Sequence, residues 1–314
     1  DEDGAFTIDA GTGEITVQGL LDFESVNAYT LTVSATDLGG LSSDGTVSVR
    51  LSNVSSFAAD DLNGSNGFEL LGIAADAYSG ISVSGVGDID GDGFDDILIG
   101  APNRGFSSDL SGKAFVVFGS ASGMPSTIEL RDLLSENGGD GSDGFVLFGA
   151  EDADQFGRSV SSAGDVNGDG FDDLIVGAPS YVSLSNEAAG DAYVVFGSGA
   201  GFAAELNMVN LLSAGGGDGS DGFVIHGIDS QDHAGLHVSG GGDINGDGYS
   251  DLVVTAFRGD PGGTNNAGET FVILGSAGGF AAELDLSSLL SANGGDGSAG
   301  FVVEGINAND TSGG

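Results

Sequence analysis

The sequence contains no cysteine and very few basic residues. Its 314 residues include only six Lys or Arg and three His. The absence of cysteine excludes a disulfide framework and a thiolate metal site. Because nucleic-acid binding depends on Lys and Arg, no nucleic-acid partner is expected. No apolar run approaches the roughly 20 residues of a membrane span, and no signal peptide opens the chain, so an export signal is expected outside this stretch.

Acidic residues and glycine are abundant by contrast. The 48 Asp and Glu residues give a formal net charge of −42. This charge has two compatible interpretations, a solubilising surface and a set of ligands for divalent cations. Hydrophobic residues make up 39% of the chain and include 19 Phe, which is enough for a packed core and too much for a disordered chain. The 60 Gly residues indicate many tight turns between short strands.

An internal repeat organises most of the chain. Gly67, Gly144, Gly222 and Gly300 open successive units, 77 or 78 residues apart. Each unit contains about four short apolar runs bounded by Gly, Asp, Asn and Ser, which is typical of strands. In the second unit these runs lie near 145–149, 158–163, 174–178 and 192–197. Each complete unit closes with a Leu-rich stretch, in which VNLLS at 209–213 could form one helical turn, and then with GGDGS.

Four strands per unit are typical of a propeller blade. We therefore predict an all-β chain with a partial β-propeller of four-stranded blades, divided into units at 67–143, 144–221, 222–299 and the start of a fourth at 300–314. This number of units does not close a ring of six or seven blades. The chain is therefore expected to be part of a larger protein, with an open array as the alternative.

Residues 1–54 follow a different pattern, and 55–66 are predicted to be a linker. YTLTVSA and TVSVRL alternate apolar and polar residues, as half-buried strands do. DAGTGE has the composition of a turn between two strands. The segment therefore indicates a separate β-domain.

A nine-residue acidic loop occurs three times, at the same place in each complete unit. Positions 1, 3, 5 and 9 carry side-chain oxygens, Gly at position 6 allows a sharp reversal, and position 7 can offer its backbone carbonyl. Ca²⁺ requires such an all-oxygen environment, so we expect one ion per loop, about three in all. The predicted ligands are Asp88, Asp90, Asp92, Phe94 and Asp96; Asp165, Asn167, Asp169, Phe171 and Asp173; and Asp243, Asn245, Asp247, Tyr249 and Asp251.

The loops differ from an EF-hand. An EF-hand has a Glu at position 12 and flanking helices, whereas these loops have Ile99, Val176 and Val254 there and strand-like flanks. A β-hairpin is therefore predicted. The alternative is an acidic turn without metal, but three copies in register and the mutual repulsion of the carboxylates favour a cation. Ca²⁺ fits better than Mg²⁺, which prefers to keep its waters. At position 8, which is not an expected ligand, the third loop has Ser250.

The order Phe-Gly, acidic loop, apolar strand and Gly-Ala-Pro resembles the FG-GAP repeat of integrin α-chain propellers. The units carry Phe156-Gly157 with GAP at 177–179, Ser79-Gly80 with GAP at 100–102, and Ala234-Gly235 with TAF at 255–257. The resemblance covers about 67–314. It implies a β-propeller with one Ca²⁺ per loop, in hairpins on one face, and a protein or glycan ligand on the propeller face.

Residues 1–54 resemble the C-terminal half of a cadherin repeat. LDFE at 21–24 stands where that family has Leu-Asp-Arg-Glu, and ATDLGG at 35–40 matches its Ala-x-Asp-x-Gly. The resemblance implies that Glu24 and Asp37 are interdomain Ca²⁺ ligands. Surface acids are the alternative interpretation, because LSNVSS at 51–56 replaces the acidic linker of that family.

No catalytic set stands out in the sequence. His226, His233 and His237 are the only histidines, and surface or packing roles are expected for them. We therefore predict a non-enzymatic, calcium-binding, extracellular adhesion or surface-display module of a large bacterial secreted or cell-surface protein. The alternative is an accessory propeller of a secreted phospholipase or polysaccharide-cleaving enzyme whose catalytic domain lies outside this stretch.

Overall fold

The computed structural model describes residues 6–9, 15–17, 28–36, 42–50, 62–103, 111–151, 154–180 and 189–314. The chain divides into two compact units, Asp1–Asp61 and Leu62–Gly314. The described residues form strands, turns and short 3-10 helices, without an α-helix among them. The predicted all-β class is therefore confirmed.

The described residues of the first compact unit form two antiparallel strand pairs. Strand β1 (Phe6–Ile8) pairs with β2 (Ile15–Val17), and β3 (Ala28–Thr36) pairs with β4 (Ser42–Arg50). Both pairs fall where alternation and turn residues predicted them.

The described residues of the second compact unit, Leu62–Gly314, form three four-stranded antiparallel blades. Blade 1 contains β6 (Ser82–Gly87), β7 (Asp96–Ala101), β8 (Lys113–Val117) and β10 (Gly144–Phe148). Blade 2 contains β11 (Ser159–Gly164), β12 (Asp173–Ala178), β13 (Asp191–Val195) and β15 (Gly222–His226). Blade 3 contains β16 (Ala234–Gly242), β17 (Asp251–Ala256), β18 (Glu269–Ile273) and β20 (Gly300–Glu304). The partial propeller is therefore confirmed.

The boundaries of the blades are shifted by one strand from the boundaries of the sequence units. The strand that opens each sequence unit is the outer strand of the preceding blade, as β10 is for blade 1. Strand β20, expected to begin a fourth unit, thus completes blade 3. Strand β5 (Glu69–Leu71) opens the first sequence unit, at the place that β10 takes in the second. It pairs in parallel with β9 (Thr127–Glu129).

The Leu-rich stretches link successive blades. Short strands β14 (Glu205–Asn207) and β19 (Glu283–Asp285) pair in parallel with the outer strands β10 and β15. Each stretch also forms 3-10 helices, and one of them confirms the helical turn expected near 209–213. The 3-10 helices span Leu130–Leu133, Ser135–Asn137, Met208–Leu211, Ser213–Gly215, Pro261–Gly263, Leu286–Leu289 and Ser291–Asn293.

Aromatic stacking and close backbone contacts join the blades. Phe202, which precedes β14, stacks on Phe145 of blade 1 at 4.4 Å between ring centroids. Phe280 stacks on Phe223 of blade 2 in the same way, at 4.2 Å. The Gly of the GAP tripeptide is needed for backbone approach, because a Cβ on Gly177 would lie 2.0 Å from the Gly235 carbonyl oxygen.

Candidate metal centres

The three acidic loops each connect the first two strands of a blade. They join β6 to β7, β11 to β12 and β16 to β17. Strands therefore flank every loop, and the predicted β-hairpin replaces the helices of an EF-hand. A β-bulge precedes each second strand, as the register shifts between Gly85 and Gly87 in blade 1 show. The bulge gives the loop a fixed starting direction on each blade.

The Asp at position 1 organises its loop through backbone N–H groups. In the first loop, Asp88 Oδ1 accepts hydrogen bonds from the N–H groups of Gly91 and Asp92, at 2.8 and 3.0 Å. Its Oδ2 accepts from the N–H of Gly93 at 2.9 Å. Asp165 and Asp243 accept the corresponding three bonds in the other loops. The same turn is therefore built three times from the same residue types.

Positions 3 and 5 follow the same rule. In the first loop, Asp90 Oδ1 accepts from the Asp92 N–H at 3.0 Å, and Asp92 Oδ1 accepts from the Phe94 N–H at 2.9 Å. Each of these carboxylates keeps a second oxygen free of backbone bonds in this pattern, which can bind a cation. In the later loops Asn167 and Asn245 also donate from Nδ2 to the position-5 carboxylate, at 2.9 Å in both.

The Asp at position 9 is buried at the base of each hairpin. Asp173 accepts from the N–H of Val166 and of Gly197, each at 2.9 Å. Asp96 and Asp251 make the matching pair of bonds. Burial raises the pKa of Asp96 to about 6 and that of Asp173 to about 7, with smaller contributions from the neighbouring loop carboxylates. A cation beside these groups would offset the cost of burying their negative charge.

In the first loop the predicted ligands converge. Carboxylate oxygens of Asp88, Asp90 and Asp96 all lie within 4.8 Å of one another. Two ligands of one Ca²⁺ ion, each about 2.4 Å from it, can be separated by at most about this distance. The donor set is also composed entirely of oxygens, so it fits the hard cation. Burial and neighbouring acids raise the pKa of Asp90 as well, so this cluster concentrates uncompensated negative charge.

The remaining predicted ligands take corresponding places. Loops two and three have Asn at position 3, so each has one carboxylate fewer while its backbone hydrogen bonds are unchanged. Asp169 and Asp247 hold position 5 with the geometry of the first loop. The backbone carbonyls at position 7, those of Phe94, Phe171 and Tyr249, stay predicted ligands.

Sequence reasoning missed the contacts between successive hairpins. Asp172, at position 8, accepts a hydrogen bond through Oδ2 from the N–H of Asp88 in the preceding loop, at 3.1 Å. The Asp88 carbonyl accepts from the Asp172 N–H, and the Asp165 carbonyl accepts from the Ser250 N–H at 2.9 Å. Position 8 is thus part of the contact between blades. The three acidic hairpins also lie next to one another along the same side.

The Gly at position 4 has a similar role. Gly91 has a φ of 78°, and a Cβ on it would lie 2.4 Å from the ring of Phe171. Gly168 has the same relation to Tyr249. The aromatic residue at position 7 therefore covers the preceding loop, and the repeated order Gly-x-Gly-aromatic was the available signal.

The other residues singled out in the sequence are Glu24, Asp37 and the histidines. Glu24 and Asp37 lie outside the described residues. His233 is buried and stacks on Phe257, and burial lowers its pKa. His237 is exposed on β16, so packing and surface positions are both found. Within the described segments, no helix has the length and apolar character needed to cross a membrane.

Comparison with protein families gives two matches. The FG-GAP repeat matches residues 79–117, 156–195 and 234–273, and the Cadherin domain matches residues 1–52. Each FG-GAP match covers the first three strands of one blade together with its acidic hairpin. The chain therefore carries three FG-GAP repeats after a cadherin-type segment, and the resemblance noted from the motifs is confirmed.

Curated relatives include several integrin alpha chains. Integrin alpha-PS2 of Drosophila melanogaster is 32% identical over 200 residues, which cover 63% of this chain and 13% of the relative. Integrin alpha-5 of Xenopus laevis is 33% identical over 190 residues, covering 58% and 15%. Integrin alpha pat-2 of Caenorhabditis elegans is 32% identical over 225 residues, covering 70% and 16%. The aligned part of the chain thus spans only about a seventh of the length of these relatives.

Proposed function

We propose that this array of FG-GAP repeats behind a cadherin-type segment is a calcium-binding extracellular adhesion or surface-display module and not an enzyme. The observation that carries the proposal is the convergence of three carboxylates, Asp88, Asp90 and Asp96, within 4.8 Å. The same hydrogen-bonded hairpin recurs in blades 2 and 3. Extracellular Ca²⁺ is present at millimolar concentration, where sites of this type with moderate affinity are filled.

Calcium would stiffen the propeller where its blades meet. Asp88 is both a proposed ligand and a partner of Asp172 in the next hairpin. Asp165 has the same two roles through its carbonyl bond to Ser250. An ion that fixes one loop would therefore also fix its contact with the following blade. This arrangement suits a module that must hold a binding surface rigid outside the cell.

The proposed partner is a protein or a glycan on the propeller face. The integrin alpha relatives and the cadherin-type segment support a role in adhesion or surface display. The net charge of −42 disfavours a polyanionic partner. Glu24 and Asp37 stay proposed ligands of a separate site in the cadherin-type segment.

Calorimetric titration of the chelator-treated chain tests the calcium sites. We expect about three ions per chain, with dissociation constants of roughly 0.1–1 mM. Asp169→Ala should remove one ion, because it takes away position 5 of the second loop. Asp221→Ala, which removes an exposed acid outside the loops, is the matched control and should leave the number of ions unchanged. No calcium-dependent heat at millimolar concentration would refute the proposal.

Thermal unfolding provides a second measurement. A ligand that binds only the folded chain stabilises it, by about 2.7 kcal/mol per site at a concentration 100 times its dissociation constant. The melting temperature should therefore rise with calcium concentration in the native chain. The rise should be smaller in Asp169→Ala than in Asp221→Ala. Equal rises in both variants would mean that the second loop is an empty turn.

A further inference from the structure

Positions 3 and 4 of the second and third acidic loops are an Asn-Gly pair. These pairs are Asn167-Gly168 and Asn245-Gly246. In such a pair the backbone nitrogen of Gly can attack the side-chain amide carbon of Asn, because Gly has no Cβ to obstruct the approach. This deamidation is favoured by a base on the Gly N–H and by a hydrogen-bond donor on the Asn amide oxygen. Both loops supply these two groups.

A carboxylate lies on the attacking nitrogen in each loop. The N–H of Gly168 donates a hydrogen bond to Asp165 Oδ1 at 2.7 Å. The N–H of Gly246 donates to Asp243 Oδ1 at the same distance. A carboxylate in hydrogen-bond contact with the reacting N–H is placed to take up its proton. The Asp at position 1 therefore has the place of a general base.

The Asn amide is held at both of its polar atoms. Asn167 Oδ1 accepts a hydrogen bond from the Asp169 N–H at 2.8 Å, and its Nδ2 donates to Asp169 Oδ2 at 2.9 Å. Asn245 makes the same two contacts with Asp247, at 3.0 and 2.9 Å. An N–H on the amide oxygen stabilises the negative charge that develops there when the nitrogen attacks. The loop thus holds the amide in a polarised state.

The same dipeptide in the Leu-rich stretches has different neighbours. Asn137-Gly138 stands at the end of a 3-10 helix, where both residues are exposed. The Gly138 N–H donates to the backbone carbonyl of Ser135 at 3.1 Å, and the exposed pair Asn293-Gly294 has the same kind of bond, at 3.2 Å. A neutral carbonyl is not a base, so these two pairs serve as references within the chain.

We propose that Asn167 and Asn245 are self-modifying sites, which deamidate through the Asp at position 1 when their loop holds no calcium. A bond forms between the Gly nitrogen and the Asn side-chain carbon, and the bond from that carbon to Nδ2 breaks. Ammonia leaves with the proton taken from the Gly nitrogen. Water then opens the cyclic imide, adding its hydroxyl to one carbonyl carbon and its hydrogen to the nitrogen. Position 3 becomes Asp or isoaspartate, with one more negative charge.

Calcium would protect both sites, a step that rests on the proposed function. Positions 1 and 3 are both predicted ligands, so a bound ion would occupy the base and hold the amide oxygen. Conversion to Asp gives the loop the alternation of acids that the first loop already has at Asp88, Asp90 and Asp92. Isoaspartate instead adds a methylene to the loop backbone. Position 3 would therefore record the time that a loop has spent without its ion.

Incubation of the whole chain in chelator at mildly alkaline pH, in water labelled with a heavy oxygen isotope, tests the proposal. Peptide mass spectrometry measures the rate at each Asn-Gly pair. The two loop sites should deamidate at least about tenfold faster than the exposed pairs at 137–138 and 293–294, because only the loops place a base on the Gly N–H. Each product should carry one heavy oxygen from the opening of the imide. Equal or slower reaction at the loop sites would overturn the proposal.

Asp165→Asn separates the action of a base from simple mobility of the loop. The variant keeps the shape of the side chain and an oxygen for the Gly168 N–H, but it is not a base. In chelator its Asn167 should deamidate at least about tenfold more slowly than in the native chain. Asn245 of the same molecules is the matched control and should react at the native rate. An unchanged or faster rate at Asn167 would mean that mobility governs the reaction, against the proposal. Circular dichroism confirms that the variant is folded.

The same incubation in saturating calcium tests the protection. Calorimetric titration shows independently whether ions bind. If they bind, the rate at both loop sites should fall at least about tenfold, because the base is then a ligand. Equal rates with bound ions would overturn the protection. If no ion binds, the proposed function fails, while the comparison of the loop sites with the reference pairs in chelator still decides the deamidation.

Discussion

Blades 2 and 3 have the same hydrogen bonds at the hairpin end and different charged residues at the opposite end. At the hairpin end, Asp173 and Asp251 make the same two backbone hydrogen bonds. At the opposite end, β13 and β15 of blade 2 place Asp191 beside His226, with 2.9 Å between Oδ1 and Nδ1. The corresponding cross-strand pair in blade 3 is Glu269 and Glu304. The hairpin end is therefore a common framework, whereas the other end varies from blade to blade.

The Phe of the FG motif also differs between blades 2 and 3. Phe156 is fully buried in blade 2 and packs edge-on against Tyr193, with 5.4 Å between centroids. Blade 3 has Ala234 in its place, and Phe257 there stacks on His233 instead. A blade can thus lose the motif aromatic when another aromatic pair packs near that end. The acidic hairpin is retained in all three blades.

The largest expected effect comes from truncating Phe156. Phe156→Ala would leave a cavity between blades 1 and 2 and should destabilise the chain by about 3–5 kcal/mol. Ala234→Gly, at the matching position in blade 3, should cost only about 1 kcal/mol. Urea unfolding at fixed calcium concentration measures both. A loss below about 1 kcal/mol for Phe156→Ala would mean that the motif aromatic is not a packing residue.

Much of the fold could be predicted because the repeat multiplies weak signals. In the second sequence unit, 144–221, the four apolar runs correspond to strands at 144–148, 159–164, 173–178 and 191–195. These runs could not predict which four strands form one blade. A strand pattern does not say whether β10 pairs with its own unit or with the preceding one, since that depends on tertiary pairing. The hydrogen bonds between β8 and β10 decide it.

The candidate site was predicted by residue type but not in its contacts. The alternate oxygens of Asp88, Asp90 and Asp92 were visible because ligand spacing is local. The contact of Asp172 with Asp88 was not visible, because it joins residues 84 positions apart. The pairing of Glu269 with Glu304 was hidden for the same reason. Local spacing therefore revealed the loop chemistry, while contacts between strands and blades needed the structure.

The like-charged pair of blade 3 predicts a pH effect. Glu269 is 6% exposed, and burial raises its pKa to about 7 from 4.5, with further contributions from Asp232, Glu304, Asp229 and Asp260. The folded state therefore binds this proton more tightly than the unfolded chain does. Stability from the protonated Glu269 is present at low pH and is lost as the pH rises from about 4.5 to about 7.

Glu269→Gln should remove this loss. The variant should be more stable than the native chain by about 2–3 kcal/mol at pH 8 and about equally stable at pH 4.5, since it cannot ionise. Urea unfolding at the two pH values, with calcium held constant, measures the difference. Asp191→Asn in blade 2 is the matched control and should bring no such gain, because Asp191 already has His226 as a partner. Equal effects of Glu269→Gln at both pH values would contradict this explanation.

The smallest expected effect on stability comes from the oppositely charged pair of blade 2, Asp191 and His226. The hydrogen bond to Asp191 raises the pKa of His226 above its usual value, and Glu283 adds to this shift through its 3.2 Å contact with Nε2. The stabilisation is therefore complete below pH 6.5 and is lost as the pH rises through the folded-state pKa. His226→Asn should cost about 1 kcal/mol at pH 5.5 and clearly less at pH 8.5. Melting curves at these two values test it, with Glu283→Gln as a control that weakens the 3.2 Å contact of His226 and leaves its contact with Asp191 in place. An equal loss at both pH values would mean that His226 acts by packing, and the charge contrast between blades 2 and 3 would then rest on Glu269 alone.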